Sequence, residues 1–134
     1  MSLRLLSVFA LVAVLVLSGC LFEGSPPQGD FQITLVLNYT DPATGQRVYN
    51  ATDAWVKNGS TVFDALNKTF RVEYSTHPIY GVFVEGINGV MNTQSVYWFY
   101  FVNGRHADVG VSSYVLTEPA VFEFRFEPDT YYSS

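Results

Sequence analysis

The chain of 134 residues has one cysteine, two histidines, and seven basic residues against twelve acidic ones. Each shortage excludes something. A lone cysteine cannot build a disulfide framework or a thiolate zinc site. So few Lys and Arg, under a net charge of −5, make no basic groove for nucleic acid. His77 and His106 are too few for a metal centre, and Asp30, Asp41 and Asp53 lack the spacing of a calcium loop. No G-x-S-x-G turn occurs, and a carboxylate pair such as Glu85 with Glu123 is what any acidic sheet offers. No enzyme activity and no metal are expected. Outside the first nineteen residues leucine is also scarce, with five against fourteen valines. A core of valine and aromatics reads as sheet and not as a helix bundle. At 49% apolar and 16% aromatic the chain is too hydrophobic for disorder.

What is present begins at the N-terminus. Arg4 precedes Leu5 to Leu17, apolar apart from Ser7, and the stretch ends in Leu17-Ser18-Gly19-Cys20. The run is shorter than the ~20 residues that span a bilayer core, which favours a cleaved signal over a permanent anchor. Small residues immediately before a cysteine resemble the bacterial and archaeal lipobox. That resemblance implies a lipoprotein signal peptide over 1–19 and a diacylglyceryl group on Cys20, the new N-terminus after cleavage. An ordinary secretory signal that happens to precede a cysteine is the alternative. Two acyl chains hold a protein stably to membrane lipid where one is marginal. Residues 20–30 then form the lipidated cysteine and a flexible, turn-rich tether. The expected location is the cell membrane, lipid-anchored, facing the extracellular or periplasmic side.

Asn-x-Ser/Thr triplets start at Asn38, Asn50, Asn58 and Asn67. The Asn and Ser/Thr content predicts about one by chance. Glycosylation of an exposed surface is one reading, and ordinary turn chemistry that is never modified is the other.

Residues 31–38 alternate, with Phe31, Ile33, Leu35 and Leu37 on one side and Gln32, Thr34 and Asn38 on the other, Val36 being the exception, so they read as a half-buried strand. Asp41 to Gly45 is a turn, and Arg47 to Lys57 returns as a second strand with an expected break near Asn50 to Asp53. Thr61 with Asp64 has the form of a capping box, opening a helix over 61–70 with Val62, Ala65, Leu66 and Phe70 on one face. Segments 81–87, 95–102 and 120–126 read as strands, and Asn88-Gly89 and Asn103-Gly104 as turns. The class is α+β: a β-grasp-like mixed sheet of about five strands with one helix packed across one face.

Gly59-Ser60-Thr61-Val62-Phe63-Asp64-Ala65-Leu66, then Gly81 to Val90, then Tyr97-Trp98-Phe99-Tyr100-Phe101-Val102-Asn103-Gly104 follow in order. Together they resemble the transcobalamin-like C-terminal domain, of the soluble-ligand-binding β-grasp type. Tyr114 and Phe122 to Phe126 resemble its closing segment, so the similarity covers residues 31–127, with 128–134 left as a tail. The resemblance implies a ligand-binding fold, with cobalamin or another corrinoid as a candidate bound molecule. In animal carriers the domain closes over cobalamin held against a helical barrel, for which this chain has no length. No cofactor is otherwise expected.

Strand 97–102 carries aromatic or apolar residues on both faces. If Phe99 and Phe101 lie under the helix, Trp98 and Tyr100 form an open platform rimmed by Glu123 and Arg125, with Asn103, Arg105 and His106 at its mouth. If instead Trp98 anchors the core, the other face is left for the 105–119 loop to cover. A slip of one residue exchanges the two arrangements. Two functions remain open. One is a surface lipoprotein that captures a soluble small-molecule ligand in a site of Trp98, Tyr100, Asn103, Arg105 and Arg125. The other is a non-enzymatic cell-envelope module that pairs with a surface protein or glycan.

Overall fold

The computed structural model describes residues 29–130. The expected signal peptide, Cys20 and nearly all of the tether lie outside them, as do the last four residues. Eight strands and one helix follow in the order β1 (Phe31–Thr40), β2 (Arg47–Val56), α1 (Val62–Thr69), β3 (Val72–His77), β4 (Gly81–Ile87), β5 (Val90–Met91), β6 (Val96–Val102), β7 (Arg105–His106) and β8 (Val121–Pro128). They form a five-stranded sheet, β2-β1-β8-β6-β7, and a three-stranded one, β3-β4-β5. The terminal strands β1 and β8 run parallel in the middle of the larger sheet and every other pair is antiparallel. This is the mixed sheet expected of the α+β class.

The core lies on one side of that sheet. Ile33, Leu35 and Leu37 of β1, Phe122 and Phe124 of β8, and Trp98 and Tyr100 of β6 meet Val62, Ala65 and Leu66 of α1 there. Thr61 caps the helix, its hydroxyl accepting from the Asp64 N–H while the Asp64 carboxylate accepts from the Thr61 N–H. The remaining N-terminal donors, free in any helix, are taken by the 107–120 segment: Val62 N–H donates to Tyr114 O and Phe63 N–H to Val111 O. Val111 and Leu116 of that segment are buried in the same core. It therefore closes the helix side; of the 105–119 loop expected over the opposite face, His106 meets the Phe99 and Phe101 rings there.

Three further expectations need correction. Strand 81–87 does not enter the main sheet; it pairs with β3, a strand whose exposed, polar 72–77 stretch gives no alternation to detect. β2 is unbroken through Asn50 to Asp53, because its edge position leaves polar residues in water while the backbone pairs with β1. The helix is shorter by its two caps. Both Asn-Gly turns form as expected, with φ of 50° and 84° at Asn88-Gly89 and 48° and 85° at Asn103-Gly104. Positive φ at both central residues suits a two-residue hairpin, which Asn and Gly tolerate best.

Candidate ligand groove

The pairing of β6 with β8 fixes which side chains share a face. Trp98 lies opposite Phe126, Tyr100 opposite Phe124 and Val102 opposite Phe122, all on the helix side. Phe99 lies opposite Arg125 and Phe101 opposite Glu123, on the other side. Trp98 and Arg125 thus point to opposite faces of the sheet, and the five sequence candidates do not form one platform. Trp98 is a core residue, its indole N–H donating to Val90 O at 2.8 Å and its ring set edge-on to Tyr39. Arg125 lies 3.8 Å from the centre of the Phe101 ring and pairs with Glu123 at 2.8 Å. Asn103 serves its turn: its side-chain oxygen accepts from the Val121 N–H. Arg105 is exposed on β7.

Trp98 and Tyr100 nevertheless line a groove, of about 390 Å³, between the two sheets. Its walls include Val82, Phe83 and Val84 of β4, Tyr97 to Tyr100 of β6, and the 106–111 segment. Successive residues of a strand point to opposite faces. Four in a row can border one cavity only if it runs along the strand's edge, so two strand edges face each other across this groove.

The hydrogen bonds agree. Asn92 sits at one end and spans the gap with its side-chain amide: Nδ2 donates to Val84 O at 2.9 Å, and Oδ1 accepts from the Trp98 N–H at 2.9 Å. At the other end Val82 N–H donates to Ser112 Oγ, and Tyr100 O accepts from the Ala107 N–H. Within a regular strand the N–H and C=O of one residue point to the same edge. Val82 O and Val84 N–H on β4, and Trp98 O and Tyr100 N–H on β6, therefore face the groove. None of these four has a hydrogen-bond partner among the described residues.

The Tyr100 hydroxyl donates to Val109 O, tying the 106–111 segment to β6. Burial, with Tyr114 nearby, pushes that hydroxyl far above the usual tyrosine range, so it stays a donor at any physiological pH. Asp129 lines the groove as well, and its Oδ1 is buried with no partner among the described residues. At the rim Phe83 is 52% exposed and Val109 47%. Sequence reasoning read β4 as a strand but did not bring its edge, Asn92 or Asp129 into the site. They come from three separate stretches, and a backbone edge left unpaired has no side-chain signature. Among the described residues no three His, Cys, Asp or Glu side chains converge as metal ligands would.

Solved structures share this fold. A candidate metal-binding protein from Ruminococcus gnavus superposes with a TM-score of 0.63 at 13% identity, over 74% of this chain and 98% of the other. Haptocorrin in complex with Cbi gives 0.54 at 18% identity, over 75% of this chain but only 27% of haptocorrin. The fold is thus transcobalamin-like, and the chain spans about a quarter of the length of haptocorrin. No curated protein matches the sequence. The profile described as "Domain of unknown function (DUF4430)" matches residues 59–127, just over half of the chain, from the turn before α1 through most of β8, and the chain belongs to that family.

Proposed function

We propose that this protein is a membrane-anchored surface lipoprotein whose domain captures a soluble ligand in the groove between its two sheets. The single observation that carries the reading is the groove itself, open to solvent and bordered by Tyr97 to Tyr100. Its ~390 Å³ lies at the small end of ligand sites. It suits one edge or substituent of a large flat molecule better than the whole of it. A corrinoid is the first candidate, because haptocorrin, which shares the fold, was solved with Cbi. Anchoring rests on Cys20 and its signal, and no helix of the described residues is long and apolar enough to cross a membrane. Among the described residues the groove offers walls and hydrogen bonds but no nucleophile paired with a base, which supports binding over turnover.

Calorimetry of the full chain in detergent with cobalamin and cobinamide tests the proposal. Heat that saturates with either supports it; no heat and no thermal shift with both removes the corrinoid. A second reading, docking to a surface protein or glycan, draws on Ile79 and Tyr80, 81% and 76% exposed in the β3–β4 turn. Alanine at both positions abolishes that docking and leaves corrinoid heat unchanged.

A further inference from the structure

We infer that the groove recognises its ligand through a carboxamide inserted edge-on between β4 and β6. The inference rests on the ligand-capture reading and names the chemistry of the group that enters. Four backbone groups carry it: acceptor Val82 O with donor Val84 N–H on one wall, acceptor Trp98 O with donor Tyr100 N–H on the other. Strand edges held in this state are a template for amide chemistry, since each wall offers a donor beside an acceptor.

Asn92 shows what fits. A primary amide has its oxygen and one N–H pointing in opposite directions, as a peptide group in a sheet does. The Asn92 amide uses this to receive from Trp98 on one strand and give to Val84 on the other, both at 2.9 Å. It stands where a peptide group of an intervening strand would stand. The groups without a partner among the described residues begin one step further along both edges, so a second amide from a ligand continues the pattern that Asn92 starts. Asp129, with a buried Oδ1 lacking a partner among the described residues, adds an acceptor to the same groove.

The run is short and stopped at both ends. Asn92 occupies one end, while Ser112 Oγ and Ala107 N–H occupy the groups at the other. A peptide strand passing through needs those groups too, whereas a single carboxamide on a small molecule needs only the four between. The occupant is therefore a soluble small molecule that bears peripheral carboxamides, and not a threaded polypeptide.

The test uses the full chain in detergent and three probes. Dicyanocobinamide carries carboxamides; heptamethyl cobyrinate carries methyl esters in their place; N-acetyl-alanyl-alanine amide supplies peptide amides without a corrin. In the free protein the Val84 and Tyr100 amides exchange hydrogen faster than the Trp98 amide, which Asn92 holds. Cobinamide slows both by about tenfold or more and binds at least about tenfold tighter than the ester, which cannot donate. Equal affinity for the ester overturns the inference while leaving capture standing. Slow exchange at Val84 and Tyr100 without ligand also overturns it, because the edges are then closed. Absence of heat with cobinamide removes this inference and the corrinoid reading together. Protection of both amides by the dipeptide amide alone reassigns the slot to peptide and overturns the small-molecule occupant.

Discussion

The two faces of the five-stranded sheet bury aromatic rings by different means. On the helix side Phe122 and Phe124 are sealed by α1 and the 107–120 segment, apolar group against apolar group. On the far side Val36 and Phe101 are 3% and 4% exposed. Polar groups form part of the cover there: Arg125 lies over Phe101, Glu123 holds Arg125, and Asn38 Nδ2 donates to Glu123 at 2.8 Å. His106 meets the same phenylalanine edge-on. The lesson is that a guanidinium seated on a ring and held there by a carboxylate takes part in burying apolar surface.

The largest test of that contrast is a pair of truncations. Phe122→Ala, in a fully enclosed site, is expected to lower unfolding free energy by ~3–5 kcal/mol in chemical denaturation. Phe101→Ala is expected to cost less, since the long Arg125 side chain already lies against the ring and can settle into the space it leaves. Equal losses would break the comparison, showing that the polar lattice packs as rigidly as the core. Next in size is Trp98→Phe. It keeps a ring against Tyr39 and Phe126 but leaves Val90 O without its indole donor, an expected loss of ~1–3 kcal/mol. A neutral result would mean that the indole N–H is not what holds β5 to β6.

Why the sequence separates these faces poorly is visible in β6. Tyr97 to Val102 is aromatic or apolar at every position, so alternation carries no direction, and only pairing with β8 decides that Trp98 faces the helix. The capping box at Thr61, the helix face of Val62, Ala65 and Leu66, and the Asn-Gly turns were legible because each depends on neighbours within a few residues. The parallel β1–β8 pair follows from the fold type, not from any local signal. The groove was legible only in part. Trp98 and Tyr100 were chosen as aromatic candidates and do line it, but for their backbone edge more than for their rings. Asn92 and Asp129 are unremarkable in a string of letters.

A smaller effect, and one confined to the polar face, is its dependence on pH. The Arg125 hydrogen bond holds the Glu123 carboxyl below the usual carboxylate range; partial burial opposes this, and the Asn38 donor and the Arg125 charge add to it. A folded-state pKa below the unfolded one adds stability above the unfolded value and loses it as pH falls through the folded value. The excess stability of the wild type over Arg125→Met therefore has a part, at most about 1 kcal/mol, that is full at neutral pH. That part fades as pH drops below the ordinary 4.5. Lost packing on Phe101 supplies a second part that does not change with pH. Denaturation at pH 7 and pH 3 separates them, and an identical difference at both would remove the ion pair from the account.

The smallest effects divide the four sequons by the same two faces. Asn38 lies in β1 on the polar face, half-buried, and the nitrogen to which a glycan attaches is the one that donates to Glu123. Attachment there removes a donor and drives a sugar into the lattice over Val36 and Phe101. Asn50, Asn58 and Asn67 are exposed, on the edge strand β2, in the turn after it and on α1. Asn38→Ala is expected to cost about 1 kcal/mol, and Asn67→Gln to stay within ~0.5 kcal/mol. If the native protein is glycosylated, its intact mass should correspond to no more than three occupied sites, with Asn38 unmodified in peptide mapping. A glycan found on Asn38 of the folded protein means that the Glu123 bond is dispensable, and the polar cover of that face is then looser than the core it was compared with.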